Sequence, residues 1–151
     1  MPKTSQAEKA YLSRAGEFGT LSELLKRNLD ARITIGNTKA MDIQVMYPDG
    51  NWKSIEVKTS RNKRFVTNYW QKYYDPNKVH PDYWVIVYID KDEASHYHIL
   101  THAELGVIQA KRAGRSPEDY SKDDCPKGVD NVELKHIAIF ENMWEKIVES
   151  K

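Results

Sequence analysis

Asp42, Glu56 and Lys58 have residue types and spacing suited to chemistry on a phosphate ester. Glu56 and Lys58 flank Val57 in Ile55-Glu56-Val57-Lys58-Thr59-Ser60. In an extended strand, residues two apart project to one face, and the residue between them points away. Thirteen residues separate Asp42 from Glu56, among them the turn sequence Tyr47-Pro48-Asp49-Gly50-Asn51. A hairpin about that turn lays the strand of Asp42 beside the strand of Glu56, so two carboxylates and one ammonium meet at a sheet end. A hard cation, Mg²⁺ or Mn²⁺, binds oxygen through one or two such carboxylates together with water and substrate phosphate. It polarises the phosphoryl group and activates a bound water, while a neighbouring lysine stabilises the developing charge. A Glu and a Lys on one strand face also suit a solvated edge, and an ExK tripeptide by itself is weakly specific.

The positioning elements follow from periodicity. Ser5-Gln6-Ala7-Glu8 is a capping box that opens a helix. Ala7, Tyr11, Ala15, Phe18, Leu21, Leu25 and Leu29 recur in steps of three and four and predict its buried face. Glu17 then lies at the border of that face. Gly16 and Gly19, with a second capping box at Thr20-Leu21-Ser22-Glu23, predict a break near Gly19. Strands are expected over 32–35, 41–46 and 52–58, with a turn at Gly36-Asn37. Tyr83 to Ile89 is a continuous apolar run, as in a strand covered on both faces. A short strand over 96–100 precedes a third capping box, Thr101-His102-Ala103-Glu104, whose helix ends at Gly114. Residues 115–129 read as a loop, 132–140 as a strand-like run, and Asn142-Met143-Trp144-Glu145 as the start of a last helix.

Residues 59–77 have no clean period, but the stretch from Val57 to Tyr74 carries Lys58, Arg61, Lys63, Arg64 and Lys72 and no acidic residue. Phe65, Tyr69, Trp70, Tyr73 and Tyr74 are interleaved with them. Cations contact phosphates and aromatic rings stack on bases, so Arg61, Lys63, Arg64, Tyr69, Trp70 and Lys72 are the candidate nucleic-acid contacts. The opposing expectation is that these aromatics are core and the charges a solvated face. His96 and His98 share a strand face, but two histidines without a third ligand read as surface or packing residues.

The 151 residues suit a single domain over 1–151, and 40% hydrophobic content is enough for one core. Net charge is +1, so only local charge can argue for a polyanionic partner. One cysteine, Cys125, rules out an internal disulfide and a cysteine-based zinc site. No signal peptide or membrane-spanning stretch is visible, so a cytoplasmic protein is expected.

Gly16-Glu17-Phe18, Met41-Asp42-Ile43 and Ile55-Glu56-Val57-Lys58 together resemble the PD-(D/E)XK nuclease superfamily, which includes restriction endonucleases and archaeal Holliday-junction resolvases. Met41 stands where the superfamily's name has proline. The resemblance covers roughly the first half of the chain. It implies an α/β, restriction-endonuclease-like fold: a central mixed sheet flanked by helices, with an αβββαβ-type core. It further implies a Mg²⁺- or Mn²⁺-dependent endonuclease acting on DNA. Asp42 and Glu56 would hold the metal with Glu17 and the Val57 carbonyl, and Lys58 would assist the attacking water. A homodimer would suit cleavage of two strands, though no residue pattern marks one. The rival expectations are a non-catalytic nucleic-acid-binding module on the same fold and a small interaction protein.

Overall fold

The computed structural model describes residues 5–34, 42–75, 77–119, 121, 123 and 128–149. Ile35, the Gly36-Asn37 turn, Met41 and Cys125 therefore lie outside the described residues.

Helix α1 (Gln6–Lys26) starts where Ser5 Oγ accepts the Glu8 N–H at 3.1 Å. It then runs unbroken through Gly19, and Thr20 is buried at mid-helix instead of capping a second one. The expected buried face is also corrected. Tyr11, Phe18 and Leu25 are 66%, 59% and 50% exposed, whereas Gly16, Thr20 and Leu24 are buried. Both corrections have one cause. A Cβ on Gly16 would overlap the Thr59 hydroxyl, and one on Gly19 would crowd the Tyr97 hydroxyl. The glycines let the helix lie against the sheet, and this close packing offsets their weak helix propensity.

Five strands form the main sheet: β1 (Asp30–Ile33), β2 (Ile43–Met46), β3 (Trp52–Ser60), β5 (Tyr83–Ile89) and β6 (Ser95–Thr101), in the order β1-β2-β3-β5-β6. The β2–β3 hairpin is antiparallel about the turn at Pro48-Asp49-Gly50, as the sequence predicts. β3 and β5 are parallel, while β5 and β6 are antiparallel, so the sheet is mixed. Alternate side chains feed two cores. Ile43, Ile55, Val57, Val85, Val87 and Ile99 pack under α1, with Trp144 and Ile147. Trp84, Ile86 and Leu100 pack on the other face with Phe65, Leu105, Val132 and Ile137. Burial of β5 on both faces matches its unbroken apolar run.

The crossover from β3 to β5 contains β4 (Arg64–Val66) and the short helix α2 (Tyr69–Tyr73), which the aperiodic sequence does not announce. β4 pairs with β7 (Asn131–Glu133) in a separate two-stranded ladder. Helix α3 (His102–Arg112) has the expected capping box from Thr101 and Glu104. The strand-like run over 132–140 is corrected: after β7 the chain turns into α4 (Leu134–Ile137) and a 3-10 turn over Ala138–Phe140. Ile137 is buried and Ile139 is 74% exposed, which is helical rather than alternating placement. The last helix, α5 (Glu145–Val148), is present but is not opened by Asn142: it begins after Trp144, which has no side-chain cap, and Asn142 takes a left-handed backbone conformation before it. No helix among the described residues is long and apolar enough to cross a membrane.

Gly16→Ala is expected to destabilise the protein by about 1–3 kcal/mol, the usual cost of forcing extra volume into a filled space. A urea midpoint equal to that of the unmodified protein would mean that α1 does not ride this close to β3.

Candidate active site

The β2–β3 register ends at Ile43 opposite Ile55, and the Asp42 N–H still donates to the Ile55 carbonyl at 3.0 Å. Asp42, just before β2, therefore lies against β3 at Ile55, and the Glu56 carboxylate is near enough for its charge to act on the Asp42 carboxyl. From there β3 continues to Ser60 with β5 as its partner. The Asp42 side chain takes over where β2 stops: its Oδ2 accepts the Val57 N–H at 2.8 Å. Asp42 is thereby locked against β3 beside Glu56.

Glu56 is 5% exposed and has three donors. The Tyr73 hydroxyl donates to Oε2 at 2.7 Å, and the Lys58 and Lys72 ammoniums each lie 3.5 Å from Oε1. Buried carboxylates need such partners. Glu17 reaches in from α1, and Asp42 and Lys58 both act on its carboxyl. Burial raises the Glu17 carboxyl above the ordinary carboxylate range, and charge repulsion and hydrogen bonding from Asp42 raise it further. Burial also raises Asp42; the Val57 N–H opposes the shift, and the Glu56 charge adds to it. Tyr73 is raised by burial and by the Glu56 charge, so its hydroxyl stays protonated and able to donate.

Glu17, Asp42, Glu56 and Lys58 thus converge at the edge of β3. Among the described residues, no three His, Cys, Asp or Glu side chains gather closely enough to hold a metal by themselves. Asp42 and Glu56 nevertheless fit a hard cation that keeps several waters, because like charges held together favour a cation or a proton. Glu17 stands near Asp42, whose charge adds to the effect of burial on the Glu17 carboxyl.

The basic tract divides. Lys72 lies at Glu56 instead of on a separate surface. Trp70 is 1% exposed, with its indole N–H on the Ser121 carbonyl at 3.0 Å; as a core residue it has no face for a base. Tyr69 is half-buried among other rings. Arg61 forks onto Glu93 with two hydrogen bonds of 2.9 Å, and Arg64 lies 3.5 Å from Glu133. Exposed pairs of this kind are weak and exchange readily for phosphate. Arg61, Arg64 and Lys58 line a groove of about 960 Å³ between α1 and the β3–β4 corner, with Lys9, Glu8 and Glu93. His96 pairs with Asp90 and Glu141, and His98 is buried on the Ile86 carbonyl, so neither offers a metal site.

The sequence does not mark Tyr73. It belongs to the aromatic tract, but nothing in the spacing distinguishes the ring that faces Glu56 from the four that do not. Its helix is set from afar: the Trp70 and Gln71 N–H groups donate to the two Asp130 oxygens at 2.9 and 3.2 Å, and Gln109 Nε2 donates to Asp130 at 3.0 Å.

A carboxyl raised on folding contributes stability at low pH and loses it as pH rises through its folded value. Without divalent cation, Asp42→Asn is therefore expected to gain stability relative to the unmodified protein as pH rises above about 4. The amide oxygen can still accept the Val57 N–H. Urea midpoints of both proteins measured across this range would test the expectation, which fails if their difference is independent of pH.

No family model matches the sequence, and no curated protein sequence matches it. Among solved structures, the chain is similar to the bacterial homing endonuclease I-Ssp6803I, with a TM-score of 0.55 and 10% sequence identity over 97% of this chain and 94% of that one. At that identity the likeness is one of fold.

Proposed function

We propose that the protein is a divalent-cation-dependent DNA endonuclease of the PD-(D/E)XK type, with a restriction-endonuclease-like core. One observation carries this proposal: where β2 leaves β3 the Asp42 carboxylate is bonded to the Val57 N–H, next to Glu56, and the Lys58 ammonium lies 3.5 Å from the Glu56 carboxylate. The fold shared with a homing endonuclease supports it.

Bound Mg²⁺ or Mn²⁺ would polarise the phosphate and lower the pKa of water. Asp42 and Glu56 supply oxygens for the ion, and the Val57 carbonyl lies on the same strand. Lys58, next to Glu56, orients the attacking water and offsets charge on the phosphorane-like transition state. The Tyr73 hydroxyl holds one Glu56 oxygen and Lys58 and Lys72 approach the other, so the carboxylate is fixed in place where it would help hold the ion. Lys58, Arg61 and Arg64 along the groove receive the DNA backbone, together with the adjacent Lys63. Cutting both strands calls for two such sites, and hence for two copies of the chain.

A second reading, a nucleic-acid-binding module without catalysis, has one observation in its favour: two lysines and a tyrosine already partner the Glu56 carboxylate. Plasmid nicking decides between the two. Cleavage is expected with Mn²⁺ and not with EDTA. Glu56→Gln, which keeps an acceptor for the Tyr73 hydroxyl, and Lys58→Ala should each lower the rate at least about 100-fold while the protein stays folded by circular dichroism. Tyr73→Phe should lower it about tenfold, the effect of one hydrogen bond to a charged group. Binding without cleavage under every cation tried would favour the module.

Replacing Arg61, Lys63 and Arg64 together is expected to reduce the slope of log affinity against log salt by about 0.9 for each phosphate that duplex DNA no longer has neutralised. An unchanged slope in an anisotropy titration would move the DNA path away from the groove.

A further inference from the structure

Beside Glu56, on the far side of Tyr73, a second cavity of about 400 Å³ is lined by Tyr69, Tyr73, Tyr74, His80, His102 and Ala103, among others. Its wall is a ladder of rings. Tyr69 stacks on His102 with centroids 4.4 Å apart, and His80 stacks on the other face of His102 at 4.0 Å and 7° between planes. Those spacings are close to those of stacked bases, and His80 at the open end is exposed. Tyr73 meets His102 edge-on, so one ring has its hydroxyl on the candidate catalytic carboxylate and its edge in the stack. Gly106 makes room for the ladder: an added Cβ would stand 2.5 Å from the Tyr69 hydroxyl.

Tyr69 and His102 are neutral rings. The Trp84 indole N–H donates to His102 Nδ1 at 3.1 Å, which leaves the ring proton on Nε2. Burial and the neighbouring His80 push His102 down to about 3, and burial pushes Tyr69 up to about 12. A wall of stacked aromatic rings suits a planar base. The rim carries the carboxylates of Asp75 and Glu118, which can accept hydrogen bonds from exocyclic amino groups.

We propose that this cavity takes one unstacked nucleobase of the nucleic acid bound at Glu56, held against the Tyr69–His102–His80 ladder. The proposal rests on the nuclease reading for its ligand. It adds a substrate class: a strand with a base already unpaired, or one that the protein extrudes next to the bond to be cut. Unstacking costs least where a base is mismatched, bulged or single-stranded, so a cavity of this kind selects for such sites.

The test is binding in EDTA, where no cleavage intervenes. Fluorescence anisotropy compares a perfect duplex with the same duplex carrying one bulged adenosine. The unmodified protein is expected to bind the bulged duplex about tenfold tighter, within the range for stacking one base on aromatic rings. Ala103→Trp, which fills the cavity from an exposed position, and the double variant Tyr74→Ala with His80→Ala should each abolish that preference. Both should leave affinity for the perfect duplex unchanged. His80→Phe, which keeps a flat ring, should retain the preference. Equal affinity for the two duplexes, or a preference that survives Ala103→Trp, would overturn the proposal. Free deoxyadenosine monophosphate binding as tightly as the bulged duplex would assign the cavity to a free nucleotide and overturn it too. Plasmid nicking is scored separately, so loss of the nuclease reading and loss of the base pocket give different results.

Discussion

Antiparallel pairing between β2 and β3 stops one residue short of Glu56, and the site is built on that early end. A strand that continues beyond its partner leaves backbone groups to be satisfied, and an unpaired buried N–H is costly. Here the Asp42 carboxylate meets the Val57 N–H and takes the place of the departed strand. The same bond holds a negative charge beside Glu56, a position that electrostatics alone would disfavour. Backbone satisfaction therefore fixes the geometry of the carboxylates, and charge repulsion is the consequence that the site must offset. Lys58 and Lys72 offset part of it.

The second determinant lies far along the chain. α2 has five residues, too few to be stable alone, and its N-cap Asn68 adopts a left-handed conformation with no side-chain cap of its own. Asp130 caps the helix instead, held by Gln109, while Thr67 hydrogen-bonds Gln109 beneath it. β7, which starts at Asn131, pairs with β4 and carries Asp130 to this position. The placement of Tyr73 against Glu56 thus depends on a ladder between segments more than sixty residues apart in sequence.

What is legible in the sequence is what local chemistry determines. The turn at Pro48-Asp49-Gly50 and the period-two pattern around Val57 point to the hairpin, which brings Asp42 against β3. The capping boxes at Ser5 and Thr101 mark two real helix starts. What stays hidden depends on distant partners. Periodicity assigns the buried face of α1 to its largest side chains, yet the helix packs through Gly16 and Thr20 because it lies so close to the sheet. Glycines that weaken an isolated helix are here the condition for docking it. α2 and β4 carry no periodic signal because Asp130 and β7 stabilise them from outside. Trp70, one of several aromatics in a basic tract, is core for the same reason: the tract folds inward onto β7 and the segment before it.

Gly16 precedes Glu17, and Thr59 follows Lys58, so the closest approach of helix and sheet lies immediately beside the cluster of charges. Positions 16 and 59 therefore form a complementary pair in size, and the pair gauges the distance from Glu17 to Asp42. Across any set of sequences sharing this architecture, a side chain can be gained at 16 only if one is given up at 59. Co-substitution at these two inconspicuous sites would then record how closely the helix and the sheet have been packed.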